Sequence, residues 1–308
     1  MDIARRIQDG WGLGPVLEVR NLGGSGVCRL VVTGQGSFVY KQVGRPDFVA
    51  VCDRVQKILN VNGLVQALLV PAKDGQLMQP DGFSLFEYIP GDAPMEYTDD
   101  QFASAINYLR KYNEALRLVP FDPAEVLRLN VWDEVRSTEY LCSQVESLII
   151  QAELEAPTQS LVRRAACLLR DGCDRLSCLP KQLIHGDPGP GNLIFDGSEV
   201  RTIIDFTPDY ENEMYSLAQF LYWTCLWRFE QPRSHDRIEE ALRMYPKPTG
   251  VHSQDRKDAM FAHLLKACMF RIMGPALSML RSGTLKPERI SRRLSALERL
   301  LDIQTPQD

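Results

Sequence analysis

The sequence predicts an α+β fold in two parts: an N-terminal antiparallel sheet carrying one helix, then a larger, mainly helical part. Three observations predict it. The first ninety residues are short apolar runs broken by Gly-rich turns, the punctuation of hairpins. From Thr98 the apolar residues recur at helical spacing. One later stretch, 193–204, returns to strand signals and sits alone among helices. With 308 residues the chain can bury two cores, and the change in pattern divides it at 1–90 and 91–308, with a hinge at about 85–91.

Taken in order, residues 15–22 form a first strand, broken by Gly23-Gly24-Ser25-Gly26. Residues 27–32 resume it, 33–36 turn, and 37–42 make a third strand. In the glycine loop, main-chain N–H groups of Gly24, Ser25 and Gly26 could approach phosphate oxygens closely, because glycine has no Cβ to block them. The same loop also suits a plain connection between strands. Lys41 ends the third strand, fifteen residues beyond Gly26. Residues 46–60 read as a helix with Phe48, Cys52, Val55 and Leu59 on one face. Leu69-Val70-Pro71 begins a strand region, Asp74-Gly75 is a hairpin turn, and residues 84–91 link the two parts. Thr98 to Gln101 has the form of a capping box ahead of a helix with Phe102, Ile106, Leu109 and Leu116 on its apolar stripe, ended by Pro120 and Pro123.

The most informative segment is His185-Gly186-Asp187, followed five residues later by Asn192 and thirteen further on by Asp205-Phe206. Asp187 lies in a Pro/Gly-rich loop, free of any helix or strand ladder. Leu193-Ile194-Phe195 reads as a buried strand, Asp196-Gly197-Ser198 as a turn, and 200–204 as the returning strand. Asn192 and Asp205 therefore stand at the same end of one hairpin, where two oxygens could share a Mg²⁺ ion. One carboxylate to orient and deprotonate a hydroxyl, with an amide and a second carboxylate to hold Mg²⁺, is the set that phosphoryl transfer from ATP requires.

The pattern His-Gly-Asp-x-x-x-x-Asn followed by Ile-Asp-Phe resembles the aminoglycoside phosphotransferase and choline kinase superfamily, which is related to protein kinases. The resemblance covers roughly residues 15–230 and is strongest over 183–206. It implies a two-lobed, protein-kinase-like fold, with ATP and Mg²⁺ as cofactors and a small-molecule hydroxyl as phosphoryl acceptor. It further implies Asp187 as catalytic base, Asn192 and Asp205 as metal ligands, and Lys41 as the strand lysine that meets the α- and β-phosphates. Residues near Phe86 and Tyr88 would line the adenine pocket, and His185 would brace the catalytic loop. The family places a Glu on the helix after the lysine to hold it; here Asp53 is the nearest acid, one methylene shorter and off the apolar stripe. Two further departures follow Asp205-Phe206. The usual Gly is Thr207, and Ser216 stands where an Asp commonly precedes Leu-Ala and supports the loop.

Bulk properties exclude several classes. A net charge of −5 and a pI near 5.5 argue against nucleic acid as a partner. The N-terminus has no apolar signal core, and residues 217–227 are about half a membrane span in length and hold Gln219, so no membrane association is expected. Eight cysteines without a C-x-x-C pair fit reduced thiols in a cytoplasmic protein. The absence of G-x-x-x-x-G-K-[ST] argues against a P-loop enzyme, and the lack of Ala-Pro-Glu after Asp205 against a protein kinase.

The acceptor stays open among aminoglycosides, amino alcohols, homoserine and sugars, as do ATP against GTP and the oligomeric state. Asp209, Glu211, Glu213 and Glu230 could meet an amine, with cation–π support from Tyr222, Trp223 and Trp227, although these aromatics also fit a buried helix. The alternative to an enzyme is a degenerate kinase fold that holds nucleotide or a partner without turnover.

Overall fold

The computed structural model describes residues 3–23, 28–129, 137–227, 234–245, 253–281 and 287–304. A four-stranded antiparallel sheet, ordered β1-β2-β3-β4, comes from β1 (Val16–Asn21), β2 (Cys28–Thr33), β3 (Gly36–Gln42) and β4 (Phe83–Glu87). Strand side chains alternate between faces. Val31, Tyr40 and Leu85 turn one way, into a small core with Ile7 and Trp11 of α1 (Ile3–Trp11). Sequence reading found no helix there; its signal is the short apolar stripe Ile3, Ile7 and Trp11, each one turn apart. Lys41, next to Tyr40, consequently faces the opposite side of the sheet.

Helix α2 (Pro46–Val61) follows β3 and starts on Pro46, whose fixed φ and missing N–H suit the first turn. It buries Val49, Val51, Cys52, Val55 and Leu59 in the main core, against helix α3 (Asp99–Leu116) and beyond. Leu69 forms only an isolated bridge with Phe86 rather than a strand, and the Asp74-Gly75 turn is present, with Gly75 N–H donating to the Ala72 carbonyl. After β4 the chain is attached to the hairpin over 193–203: Asp92 and Phe195 exchange both main-chain hydrogen bonds, at 2.9 and 2.7 Å. Gly91 makes that approach possible. Its φ is +150°, and a Cβ there would stand 2.5 Å from the Phe195 carbonyl oxygen.

Helix α3 opens with the full capping box, Thr98 and Gln101 each satisfying the other's main chain. Helices α4 (Pro123–Leu129), α5 (Thr138–Ser143), α6 (Val145–Gln151), α7 (Ala156–Asp171) and α8 (Cys173–Ser177) follow. Two small antiparallel ladders then carry the loops of interest. Strand β5 (Gln182–His185) pairs with β8 (Pro208–Glu211), and between them β6 (Leu193–Asp196) pairs with β7 (Glu199–Ile203). Sequence reading found the inner hairpin and missed the outer pair, whose strands are only four residues each.

Helix α9 (Glu213–Leu221) runs on into a π-helical turn over Tyr222–Leu226, marked by the hydrogen bond from Trp227 N–H to the Tyr222 carbonyl. Helix α10 (Ser234–Met244), the long helix α11 (Ser253–Arg281) and α12 (Pro287–Gln304) complete the chain. Residues 217–226 are buried apart from the half-buried Trp223, in keeping with their apolar run. The fold is therefore α+β, an N-terminal antiparallel sheet and a helical C-terminal part. Among the described residues no helix is long and apolar enough to cross a membrane, and all eight cysteines are free thiols.

Candidate active site

The outer β5–β8 ladder and the inner hairpin hold the acids and amide of the motif on one hydrogen-bonded frame. His185, fully buried, sits between the two. Its Nδ1 accepts from Asp187 N–H at 3.1 Å, which leaves Nε2–H to donate to the Ile204 carbonyl at 3.3 Å; the two partners fix a neutral tautomer. Gly186 N–H donates to the Thr207 carbonyl. Ser216 Oγ donates to the His185 carbonyl at 2.9 Å, so this serine supplies loop support where relatives commonly carry Asp.

Asn192 Nδ2 donates to the Asp187 carbonyl at 3.0 Å, and Asn192's own carbonyl accepts from Ile204 N–H. One amide thus links the loop bearing Asp187 to the residue before Asp205. The remaining oxygen, Asn192 Oδ1, has no protein donor among the described residues. Asp205 has φ +58°, in the left-handed region that a non-glycine residue seldom occupies and that Asp tolerates better than most. Such strained positions persist where the surroundings over-determine them. Here the bonds from flanking Ile204 and Thr207 hold the turn.

Lys41 Nζ meets Asp205 Oδ1 at 2.5 Å, joining the sheet to the catalytic turn. Strand register explains its position. Lys41 lies opposite Ser84 of β4 and opposite Cys28 of β2, two residues past the glycine loop. Gly24, Ser25 and Gly26 themselves lie outside the described residues, as does Glu230. Phe86 is partly buried against the main core, and Tyr88 N–H donates to the Ser37 carbonyl.

The expected pairing of Asp53 with Lys41 is not formed. Asp53 binds Lys57, one turn along α2, at 2.7 Å. The residue of α2 that faces Lys41 and Asp205 is Cys52, on the buried stripe; Asp53, one position on, is turned away from it. Burial first, then the nearby Asp205 carboxylate, pushes the Cys52 thiol up to about 12, so it stays protonated and unreactive.

Asp187 is held by residues the sequence gave no reason to join to it. Its Oδ1 accepts from Trp223 Nε1 at 2.9 Å and from Arg271 Nη2 at 2.6 Å. Oδ2 has no protein donor among the described residues. Burial pushes the carboxyl up, but Arg271 and the indole N–H outweigh it, and the group sits below its ordinary value. The π-turn contributes Trp223, and Gly189 makes room for it: a Cβ on Gly189 would stand 2.7 Å from Trp223 Cδ1. Arg271 comes from α11. Its guanidinium lies over the Trp223 ring at 4.7 Å, with Nε and Nη2 both donating to Gln219 Oε1 at 3.0 and 2.7 Å. A signal existed. Lys266 and Arg271 are the two cations in the otherwise apolar stretch 264–277, and buried cations need acids nearby.

The acids considered for an amine are already committed. Glu211 pairs with Lys266 at 2.5 Å and Glu213 with Arg117 at 2.6 Å. Asp209 is buried and accepts from Tyr210 N–H. Tyr222 is fully buried, and Trp223 serves Asp187.

This fold and this set of acid, amide and lysine define a kinase-like phosphotransferase. The chain belongs to the phosphotransferase enzyme family, whose model matches residues 27–249. It is accordingly an enzyme that phosphorylates alcohol groups of small molecules, which favours turnover over the nucleotide-holding alternative. Similar solved structures include amicoumacin kinase hAmiN in complex with AMP-PNP, Ca²⁺ and Ami (14% identity, TM-score 0.67, covering 99% of this chain and 94% of that one). A thermostable mutant of aminoglycoside phosphotransferase APH(4)-Ia, in ternary complex with AMP-PNP and hygromycin B, is similar at 12% identity and TM-score 0.66 over 98% and 99% of the two chains. A choline/ethanolamine kinase family protein from Mesorhizobium loti follows at 14% and 0.62, over 94% and 89%. No curated protein matches the chain by sequence.

Proposed function

We propose that the protein transfers the γ-phosphoryl group of ATP, with Mg²⁺, to a hydroxyl of a small molecule, with Asp187 as the base. The observation that carries this reading is the asymmetry of the Asp187 carboxylate. Oδ1 is fixed by two donors while Oδ2 has none among the described residues, so an acceptor hydroxyl has one oriented lone pair to donate to. A base held below the ordinary carboxylate range is ionised throughout the neutral region. It acts chiefly by orienting the hydroxyl and taking its proton late in the transfer.

The donor set fits magnesium. Asn192 Oδ1 and Asp205 Oδ2 are hard oxygens without protein donors among the described residues, and Mg²⁺ favours a few such ligands with phosphate and water completing its shell. When bound, the ion neutralises charge on the β- and γ-phosphates. Lys41, now on Asp205, would exchange that carboxylate for phosphate oxygens. Its side chain and that of Asp205 are 32% and 51% exposed, so the exchange costs little desolvation. The glycine loop at 24–26 and the segment around Phe86 and Tyr88 would complete the nucleotide site, between lobes spanning 1–90 and 91–308. Nucleotide analogues bound in the amicoumacin kinase and APH(4)-Ia structures support ATP as donor. Free thiols throughout suit a cytoplasmic setting.

The test is an ADP-release assay over amino alcohols, aminoglycosides, sugars and hydroxy acids, run beside fluorescent-nucleotide binding. Asp187→Asn should bind nucleotide as the parent does and lose transfer. Full turnover in that variant would refute the base assignment.

A further inference from the structure

We propose that Arg271 determines acceptor specificity, and that the acceptor is an alcohol carrying a carboxylate, a hydroxy acid rather than an amino alcohol. The inference rests on the proposed role of Asp187 and goes beyond it to the substrate class.

Two sets of contacts lead there. First, among the described residues, the glutamates considered for an amine are already paired. Glu211 has Lys266 on one oxygen, with Lys181 at 3.7 Å and Asn212 N–H on the other, and Glu213 has Arg117. An ammonium placed against Asp187 would lie beside a guanidinium, and like charges side by side reject a ligand. Second, Arg271 is built as an anion receptor. Trp223 stacks on its face and Gln219 takes two of its N–H groups on a neutral oxygen, so the plane is fixed without loss of charge. Its one acidic partner among the described residues is Asp187, through Nη2. Both N–H groups of Nη1 are without a protein acceptor there. A planar carboxylate presented to that edge gains charge-assisted bonds. An acceptor so anchored lies next to Oδ2 of Asp187, where its hydroxyl is needed. Pro275 adds to the case: it has no N–H to give the Arg271 carbonyl, so the helix lacks one restraint at the receptor residue.

The experiment uses charge-matched acceptors on the full chain: glycerate and 4-hydroxybutyrate, their primary amides, and ethanolamine. ADP release is measured for the parent, Arg271→Gln and Arg271→Lys, with circular dichroism to confirm folding. The acids should exceed their amides in kcat/KM by about 10-fold or more. Arg271→Gln should abolish that preference mainly through KM, and Arg271→Lys should restore part of it. A second readout needs no turnover. Titration of the acids in the presence of AMP-PNP should change tryptophan emission saturably, since the guanidinium leaves or tightens on Trp223, and Arg271→Gln should remove the response. Preference for ethanolamine, an acid-to-amide ratio unchanged in Arg271→Gln, or no saturable response dependent on Arg271 would each overturn the inference. Nucleotide binding separates the two readings. If Lys41-dependent nucleotide binding persists while acid preference fails, this inference alone falls; if nucleotide does not bind, the kinase reading falls first.

Discussion

Two of the cations on helix α11, five residues apart, each meet an acid of the β5–β8 region. Lys266 pairs with Glu211 of β8, and Arg271 with Asp187 of the loop after β5. Both acids are pushed up by burial and drawn below their ordinary range chiefly by the paired cation. The settings differ. Lys266 and Glu211 are 7% and 10% exposed, both Glu211 oxygens are committed, and His263 beside them is kept neutral by burial at about 3. Arg271 and Asp187 are 15% and 36% exposed, and one Asp187 oxygen has no donor among the described residues. An uncommitted oxygen that solvent can reach, rather than the ion pair itself, separates the proposed base from a structural acid.

The sharpest way to break the comparison is to exchange the consequences of losing each pair. Lys266→Met strands a buried carboxylate and should cost about 3–5 kcal/mol in urea unfolding. Replacing Glu211 with Gln in the same chain should recover part of that loss. Asp187→Asn should instead lower turnover by about 10²–10⁴-fold with little change in the unfolding midpoint. If Lys266→Met were as harmless to stability as Asp187→Asn, the distinction between sealed and open pairs would be wrong.

Smaller effects sharpen the same contrast. Trp223→Phe removes one N–H bond to a partly exposed carboxylate and should cost about 1 kcal/mol in stability. Gly189→Ala should lower turnover by displacing the indole, and indole crowding is ruled out if turnover is unchanged. The least effect expected is on pH dependence. Because the folded values of Asp187 and Glu211 are depressed, their stabilisation is full above about pH 4 and is lost as pH falls through the folded values. Unfolding free energy between about pH 2 and pH 6 should show this decline in the parent and a shallower one in Lys266→Met.

Local spacing made the central hairpin legible. Asn192 and Asp205 flank strands so short that their ends can meet only one way, and Lys41 follows from strand alternation. The capping box at Thr98 and the α2 stripe were equally local. What sequence concealed was tertiary. Arg271 is 84 residues from Asp187, and nothing in either neighbourhood names the other. Asp53 was misjudged because residue type was weighed above helical phase, which gives the inward place to Cys52. Glu211 and Glu213 were offered to a ligand because their internal cations, Lys266 and Arg117, lie far along the chain.

The wide turn at Tyr222–Leu226 has a consequence for how this pocket can vary. A π-turn is a helix with one residue too many. Removing one residue from it would restore regular winding, and the change of direction would fall on the side chains in and beside the turn while the flanks beyond kept their phase. Trp223 or Trp227 would then leave its seat although every remaining side chain was unaltered. The aim of the indole at Asp187 is therefore set by a residue count, and a one-codon deletion would test it as severely as any replacement.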